Sequence, residues 1–141
     1  MNSIWGSVGA SQLHCLNVLQ NKAIKIIKKL PMLTPTVNLY SENLLSLNKL
    51  YTYNTLLLIY KIKYGHVKCN IPLVQAQNVH SFHTRSRENY YLTRPRTELA
   101  LKNVFYSGIV KFNALPNELK SELNITAFKR KIRSFVYRNN I

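Results

Sequence analysis

Aspartate is absent from the 141 residues, and the acidic groups are five glutamates only. Polymerases, nucleases and kinases hold catalytic Mg²⁺ with clustered carboxylates, usually including aspartate. Glutamates scattered along the chain cannot easily build such a cluster, so we expect no two-metal catalysis and no cofactor in this chain. The five glutamates are Glu42, Glu88, Glu98, Glu118 and Glu122.

Glycine and cysteine are also scarce. The four glycines form neither a G-x-G-x-x-G nor a G-x₄-G-K pattern, so no phosphate-binding loop is present. Cys15 and Cys69 lie too far apart for a disulfide framework, which fits a reducing compartment. His14 precedes Cys15, but neighbours on a helix point about 100° apart and make a poor nucleophile–base pair. The sequence thus predicts that the chain is not an enzyme by itself.

Residue types that could bind zinc are few in this sequence. Cys69, His80 and His83, with Cys15 or His14 as a fourth ligand, are weak candidates for a metal site. Zinc takes about four nitrogen or sulfur ligands, usually with a closely spaced pair at a standard interval. The spacing here fits no standard pattern, which favours unliganded side chains.

Long hydrophobic runs are missing. The longest aliphatic cluster, residues 56–59, is flanked by Asn54, Lys61 and Lys63, and is too short to span a bilayer. The first ten residues have no basic segment followed by an apolar one, so they do not resemble a signal peptide. We expect a soluble nuclear or cytoplasmic protein with no membrane partner.

Positive charge is the dominant feature. Lys and Arg number 20, which gives a formal net charge of +15. Residues 1–79 hold eight basic groups and one acid, and residues 80–141 hold twelve and four, so the excess runs along the whole chain. A compact cation repels itself, and a polyanion relieves that repulsion. RNA or DNA is the commonest such partner; acidic membrane surfaces and acidic proteins are the alternatives.

Hydrophobic periodicity predicts a mainly α fold, a small helical domain. An N-terminal part, 1–65, carries helices at about 11–30, 35–43 and 46–64. In the first helix Lys22, Lys25 and Lys29 form a basic stripe beside the apolar one. Pro31 ends this helix. The third helix is apolar around most of its circumference and closes at Gly65, so we place it in the centre of the core.

The remaining chain divides into a loop and a second helical part. Residues 66–98 read as a basic loop, with a short β-hairpin or edge strand near 89–98. Residues 99–141 read as an irregular helix over 99–114, a helical turn within 117–123 and a last helix capped by Asn124. We expect one domain overall; the oligomeric state is open.

Basic and aromatic residues interleave in the loop. In extended backbone, residues i and i+2 point the same way, so paired arginines would grip successive phosphates while aromatic rings stack on unpaired bases. The alternative is a solvated basic loop whose tyrosines cover the core. The candidate phosphate ligands are Arg85, Arg87, Arg94 and Arg96, and the candidate stacking residues are Phe82, Tyr90 and Tyr91.

The last helix carries a second cationic surface. Lys129, Arg130 and Arg133 lie beside an apolar face that contains Phe128 and Ile132. Basic amphipathic helices bind phosphate backbones, membranes or partner grooves. The alternative is a docked terminal helix with its charges in water.

Five blocks along the chain form an ordered set of motifs: Ile4-Trp5-Gly6 with residues 16–27, Thr34-Pro35-Thr36 with residues 39–42, residues 80–85 with 94–99, residues 106–108 with 112–116, and Phe128-Lys129. These blocks resemble the region that follows the polymerase domain in jockey-like non-LTR (LINE-type) retrotransposon reverse transcriptases. That family has a W-G before a helix L-x-x-L-Q-N-K-A-[LI]-[RK]-I-I, then H-x-[YF]-x-T-R, then Y-R-G with L-W-N-x-L-P, and F-K near the end. Ser107 and Phe112 depart from the family, which has Arg and Trp there.

The resemblance implies a C-terminal fragment without the catalytic aspartates, which lie upstream in the polymerase palm. In the intact family this region is thought to help hold template RNA and target DNA, so Arg85, Arg94 and Arg96 become the leading contact candidates. RNA or DNA is the implied partner, with the upstream polymerase domain as a second one. The alternative is a helical protein-interaction module that packs on a polymerase domain or another partner.

Overall fold

The computed structural model describes residues 10–69, 73–82 and 84–139, with side chains from Leu13 onward. The helices are α1 (Ala10–Ile27), α2 (Leu47–Lys63), α3 (Glu98–Leu101), α4 (Val104–Asn113), α5 (Asn117–Lys120) and α6 (Ile125–Arg138), with 3₁₀ turns at Thr36–Leu39 and Ala76–Asn78. Strand-like pairing in these segments is limited to two isolated antiparallel bridges, Ser41 with Leu44 and Gln75 with Tyr90. The mainly α fold class is therefore confirmed. None of the described helices has the length and apolar content needed to cross a membrane.

Two compact units make up the chain. Unit 1 is Met1–Asn54 with Asn124–Ile141, and unit 2 is Thr55–Leu123. This division differs from the three successive parts that the sequence suggested, because unit 1 joins the last helix to the first segment. Periodicity identifies an apolar helix face but not the distant segment that covers it, so such grouping is not visible in the sequence.

Unit 1 has its core on one face of α6. Phe128, Ile132 and Val136 recur at four-residue spacing and are buried, as the apolar face predicted. The predicted cap is also confirmed: the Asn124 side-chain oxygen accepts the Thr126 N–H at 2.9 Å. It also accepts the Ala127 N–H, at 3.4 Å. This cap fixes where the chain turns into the helix.

The predicted end of α1 is wrong by three residues. The helix ends at Ile27, and the Leu30 N–H donates to the Lys25 carbonyl at 2.9 Å while the Lys29 N–H donates to the Ile26 carbonyl at 3.1 Å. This pair of bonds is a Schellman motif with Lys29 in the left-handed position, at φ 51°. The carbonyls are thus satisfied before Pro31 is reached.

The α2 helix also ends in a Schellman motif, with glycine in the left-handed position. The His66 N–H donates to the Lys61 carbonyl at 2.8 Å and the Gly65 N–H to the Ile62 carbonyl at 3.1 Å. Gly65 has φ 71°, which confirms the predicted stop. Glycine adopts this conformation without the steric cost of a Cβ.

Lys29→Gly should therefore raise the free energy of unfolding by about 1 kcal/mol, because the left-handed conformation costs a residue with a Cβ about 1–2 kcal/mol. Urea unfolding followed by circular dichroism measures the change. Lys22→Gly is the matched control; it lies inside α1 and should lower stability by about 1 kcal/mol. Equal losses in both variants would contradict the assignment of the Schellman position.

The helix predicted at 35–43 is only a 3₁₀ turn, Thr36–Leu39. Pro35 stands before it at φ −58° and ψ 140°, an extended conformation instead of the first helical position. The Thr34 hydroxyl donates back to the Pro31 carbonyl at 2.7 Å, and the turn has no side-chain cap at its start. The expected Thr-Pro helix start is therefore wrong, since the local hydrogen bond of Thr34 competes with it.

Unit 2 forms around the second half of α2. Leu56, Ile59 and Tyr60 are fully buried there, as expected for a central helix. Gly108 lets α4 approach this part of α2, because a Cβ at Gly108 would lie 2.7 Å from Cγ2 of Thr55. The irregular helix predicted at 99–114 is two helices, α3 and α4, and the predicted turn after Pro116 is α5.

Candidate nucleic-acid interface

The arginine loop, which we define as residues 80–82 and 84–96 of unit 2, includes one side of a short antiparallel pairing that we call the hairpin. The Tyr91 N–H donates to the Val74 carbonyl at 2.8 Å, and the Ala76 N–H donates to the Asn89 carbonyl at 2.9 Å. These bonds pair residues 74–77 with 87–91 around the Gln75–Tyr90 bridge. The hairpin or edge strand predicted near 89–98 is therefore wrong for most of that range, because residues 91–97 form no strand. Tyr90 pairs instead with Gln75, in an upstream segment that the sequence assigned to irregular loop.

Arg85 and Arg87 lie in consecutive turns. The Arg87 N–H donates to the Thr84 carbonyl at 3.2 Å, and the Asn89 N–H donates to the Ser86 carbonyl at 3.0 Å. The expectation of an extended backbone at these two arginines is therefore wrong, because the local turn bonds fold the chain back. Both side chains are nevertheless exposed.

Arg94 and Arg96 follow the hairpin. Residues 91–95 have irregular backbone, Arg96 lies at a bend, and both arginines are exposed. Thr97 then caps α3 by accepting the Ala100 N–H at 3.3 Å. The arginine loop contains four arginines and one acid, Glu88, so it has a net charge of +3. Exposed guanidinium groups at this density suit contacts with phosphate oxygens.

The three candidate stacking residues lie in different environments. Phe82 is 77% exposed. Tyr91 is also exposed, and its ring meets the His80 ring edge-on with the centroids 5.4 Å apart. Tyr90 is half-buried, with its ring centroid 5.9 Å from that of Phe112, and burial, with a smaller contribution from Tyr64, raises the pKa of Tyr90. Phe82 and Tyr91 can therefore stack on bases, whereas Tyr90 packs against unit 2.

Asn113, at the end of α4, fixes the hairpin strand. Its side-chain oxygen accepts the Tyr90 N–H at 2.9 Å, and its amide nitrogen donates to the Tyr90 carbonyl at 2.8 Å. One side chain thus satisfies both backbone groups of Tyr90. Sequence reasoning missed this role, although Asn113 lies in the block Phe112-Asn113-Ala114-Leu115-Pro116.

Lys120 of α5 supports the same strand. Its ammonium donates to Oδ1 of Asn89 at 3.0 Å and to the Asn113 carbonyl at 2.7 Å. Burial lowers the pKa of Lys120, Glu88 acts in the opposite direction, and Lys63 lowers it further. This lysine is a local anchor, and nothing in its sequence neighbourhood indicates it.

The three candidate cations of α6 lie in two different environments. Lys129 and Arg130 are exposed on unit 1. Arg133 instead donates from Nε to the Glu42 carbonyl at 2.8 Å and from Nη2 to the Asn43 carbonyl at 2.6 Å. The Ser134 hydroxyl also bonds the Glu42 carboxylate. Arg133 therefore holds the 41–44 turn, which leaves Lys129 and Arg130 as the better phosphate candidates on this helix.

The weak zinc candidates gain no support. Among the described residues no three His, Cys or Glu side chains converge as metal ligands would. Cys15 is exposed, Cys69 is half-buried, and His80 contacts the Tyr91 ring. His83 lies outside the described residues.

Comparison with known proteins gives no relative: no family model, no curated protein and no solved structure matches the chain. The retrotransposon resemblance stays a prediction that rests on its sequence blocks. Residues 16–27 lie on α1, and the described residues of 80–85 lie in the arginine loop.

Proposed function

We propose that the chain is a non-catalytic nucleic-acid-binding segment of retrotransposon origin. The observation that carries this proposal is the exposure of Arg85, Arg87, Arg94 and Arg96 on one loop whose hairpin is anchored by Asn113 and Lys120. The net charge of +15 and the absence of aspartate support it. Such a protein binds the phosphates of RNA or DNA, and catalysis is carried out by another domain.

The arginine loop supplies the contacts. Each guanidinium can bind a phosphate through two parallel N–H bonds, a geometry that lysine cannot reproduce. Phe82 and Tyr91 add stacking on unpaired bases, which favours single-stranded RNA or DNA over a duplex. Anchoring by Asn113 reduces the ordering entropy that a free loop would lose on binding. Lys129 and Arg130 provide further phosphate contacts on α6.

The proposed retrotransposon origin can be tested by reading the genomic DNA around the gene. If the chain derives from the post-polymerase region of a non-LTR reverse transcriptase, the DNA upstream of Met1 should encode remains of a polymerase palm. An unrelated coding sequence at that position would contradict the proposed origin. It would leave the binding proposal standing, because that rests on the exposed arginines.

Replacing Arg85 and Arg96 together by alanine should weaken RNA binding and its dependence on salt. Each phosphate contact on a single strand contributes a slope of about −0.7 to the logarithm of affinity against the logarithm of salt concentration. Loss of two contacts should therefore make the slope less negative by about 1.4. Fluorescence anisotropy of a labelled single-stranded RNA over a salt series measures it.

The control removes the same charge elsewhere in unit 2. Lys68 and Lys102 are both exposed, and Lys102 lies 3.9 Å from Glu98. Lys68→Ala with Lys102→Ala should change the slope far less than the arginine variant. Equal changes in both double variants would assign the binding to overall charge, and an affinity that ignores salt would refute phosphate contacts.

A further inference from the structure

Helix α1 directs its most apolar face outward. Leu16 is 45% exposed, Leu19 61%, Ile26 72% and Ile27 79%. With Ala23, which is also exposed, these residues occupy an arc of about 100° on the helix surface. We call this set the α1 stripe. A continuous exposed apolar surface of this kind marks an interaction site more often than a free surface.

The inward side of α1 is largely polar. Ile24 is buried there, while the Gln20 amide donates to the Leu45 carbonyl at 3.2 Å and its oxygen accepts the Leu47 N–H at 3.2 Å. The Tyr40 hydroxyl donates to the Asn21 side chain. Polar contacts therefore hold α1 in unit 1, and its apolar side is exposed to solvent.

The spacing of the α1 stripe fits a partner helix. Leu16, Leu19, Ala23 and Ile26 are separated by three, four and three residues, which is the a/d spacing of a coiled-coil seam. Ala23 is small and permits close approach of a second backbone. A narrow seam on a helix already docked along its other side suits one helix better than a membrane surface, in which a whole helix face is immersed.

Charge selects the partner. The α1 sequence contains Lys22 and Lys25 and no acidic residue, and Lys22 falls at the g position beside the seam. A second copy of this chain would carry the same net charge of +15 and would be repelled. We propose that the α1 stripe is a docking surface for an acidic amphipathic helix of another protein. This inference is independent of nucleic-acid binding, because it uses none of the arginine-loop residues.

A designed peptide tests the inference. The probe is a helical peptide with leucine at a and d and glutamate at e and g, and its control is a scrambled peptide of identical composition. Cys15 is exposed at the edge of the stripe, so an environment-sensitive label there, in the Cys69→Ser background, reports binding. We expect saturable binding of the patterned peptide and affinity for the scrambled peptide weaker by about tenfold or more.

Surface variants complete the test. Leu19→Ser with Ile26→Ser should weaken peptide binding by about tenfold or more, with an unchanged circular dichroism spectrum. Leu99→Ser with Val110→Ser, at exposed positions of unit 2, should bind as the unchanged chain does. Equal affinity for both peptides, full binding by the Leu19/Ile26 variant, or a label response to anionic vesicles in place of the peptide would overturn the proposal. So would a stable homodimer that the Leu19/Ile26 variant abolishes.

Discussion

Replacing Phe112 by alanine should lower the free energy of unfolding by about 3–5 kcal/mol, the range for truncating a buried aromatic side chain. Phe112 is 1% exposed. Its ring contacts Tyr90, and the Lys63 ammonium lies 5.8 Å from its centroid. Alanine would leave a cavity under the hairpin strand and remove this packing. Urea unfolding followed by circular dichroism measures the loss.

Phe82→Ala is the matched control, since it removes the same side chain from an exposed position. We expect a stability change within about 0.5 kcal/mol. RNA affinity should nevertheless fall, because stacking of one base on an aromatic ring is worth about 1–3 kcal/mol. Strong destabilisation by Phe82→Ala, or a stable Phe112→Ala variant, would contradict the placement of the two rings.

Locally encoded features of the fold were predictable. The α2 helix stops two residues before Gly65, because glycine adopts the positive φ of the closing turn freely. The α6 helix starts directly after Asn124, because the side chain of this cap satisfies free backbone N–H groups. Gly65 and Asn124 both act within a few residues of their own position. The mainly α class follows from such signals together with the 3.6-residue periodicity.

Features that depend on distant partners were not predictable. The outward direction of the α1 stripe contradicts the usual burial of an apolar helix face, and it is set by polar contacts from Gln20 and Asn21 to residues beyond position 39. Arg133 reads as a free cation in the sequence, yet it binds two carbonyls about 90 residues away. Local pattern cannot specify contacts of that range, since many arrangements satisfy the same periodicity.

The candidate interface shows the same division. The exposure of Arg85, Arg87, Arg94 and Arg96 was predictable from their charge, because arginine is rarely fully buried. The turns at residues 84–89 and the pairing of 74–77 with 87–91 required the structure, as strand pairing joins segments that share no periodic signal. The sequence thus identified which residues to test and misjudged the backbone that presents them.

Asn113→Ala should destabilise unit 2 by about 2 kcal/mol, because it leaves the half-buried N–H and carbonyl of Tyr90 without their side-chain partner. The loss should be local. Amide hydrogen exchange should quicken most at residues 87–91, whose strand Asn113 holds against α4. RNA affinity should fall because the loop must then be ordered on binding. The salt slope should stay close to that of the unchanged chain, since every arginine is still present.

Asn117→Ala is the control for this effect. Asn117 is exposed at the start of α5, where it lines a surface cleft together with Tyr90 and Asn113. Its loss should change stability by about 0.5 kcal/mol or less. Comparison of Asn113→Ala and Asn117→Ala with the Arg85/Arg96 variant separates two contributions to binding. The arginines should determine the salt slope, whereas Asn113 should determine the affinity without changing that slope. If Asn113→Ala reduced the slope as much as the arginine variant does, the asparagine would be acting on the contacts themselves, and anchoring of a preformed loop would be the wrong account of this interface.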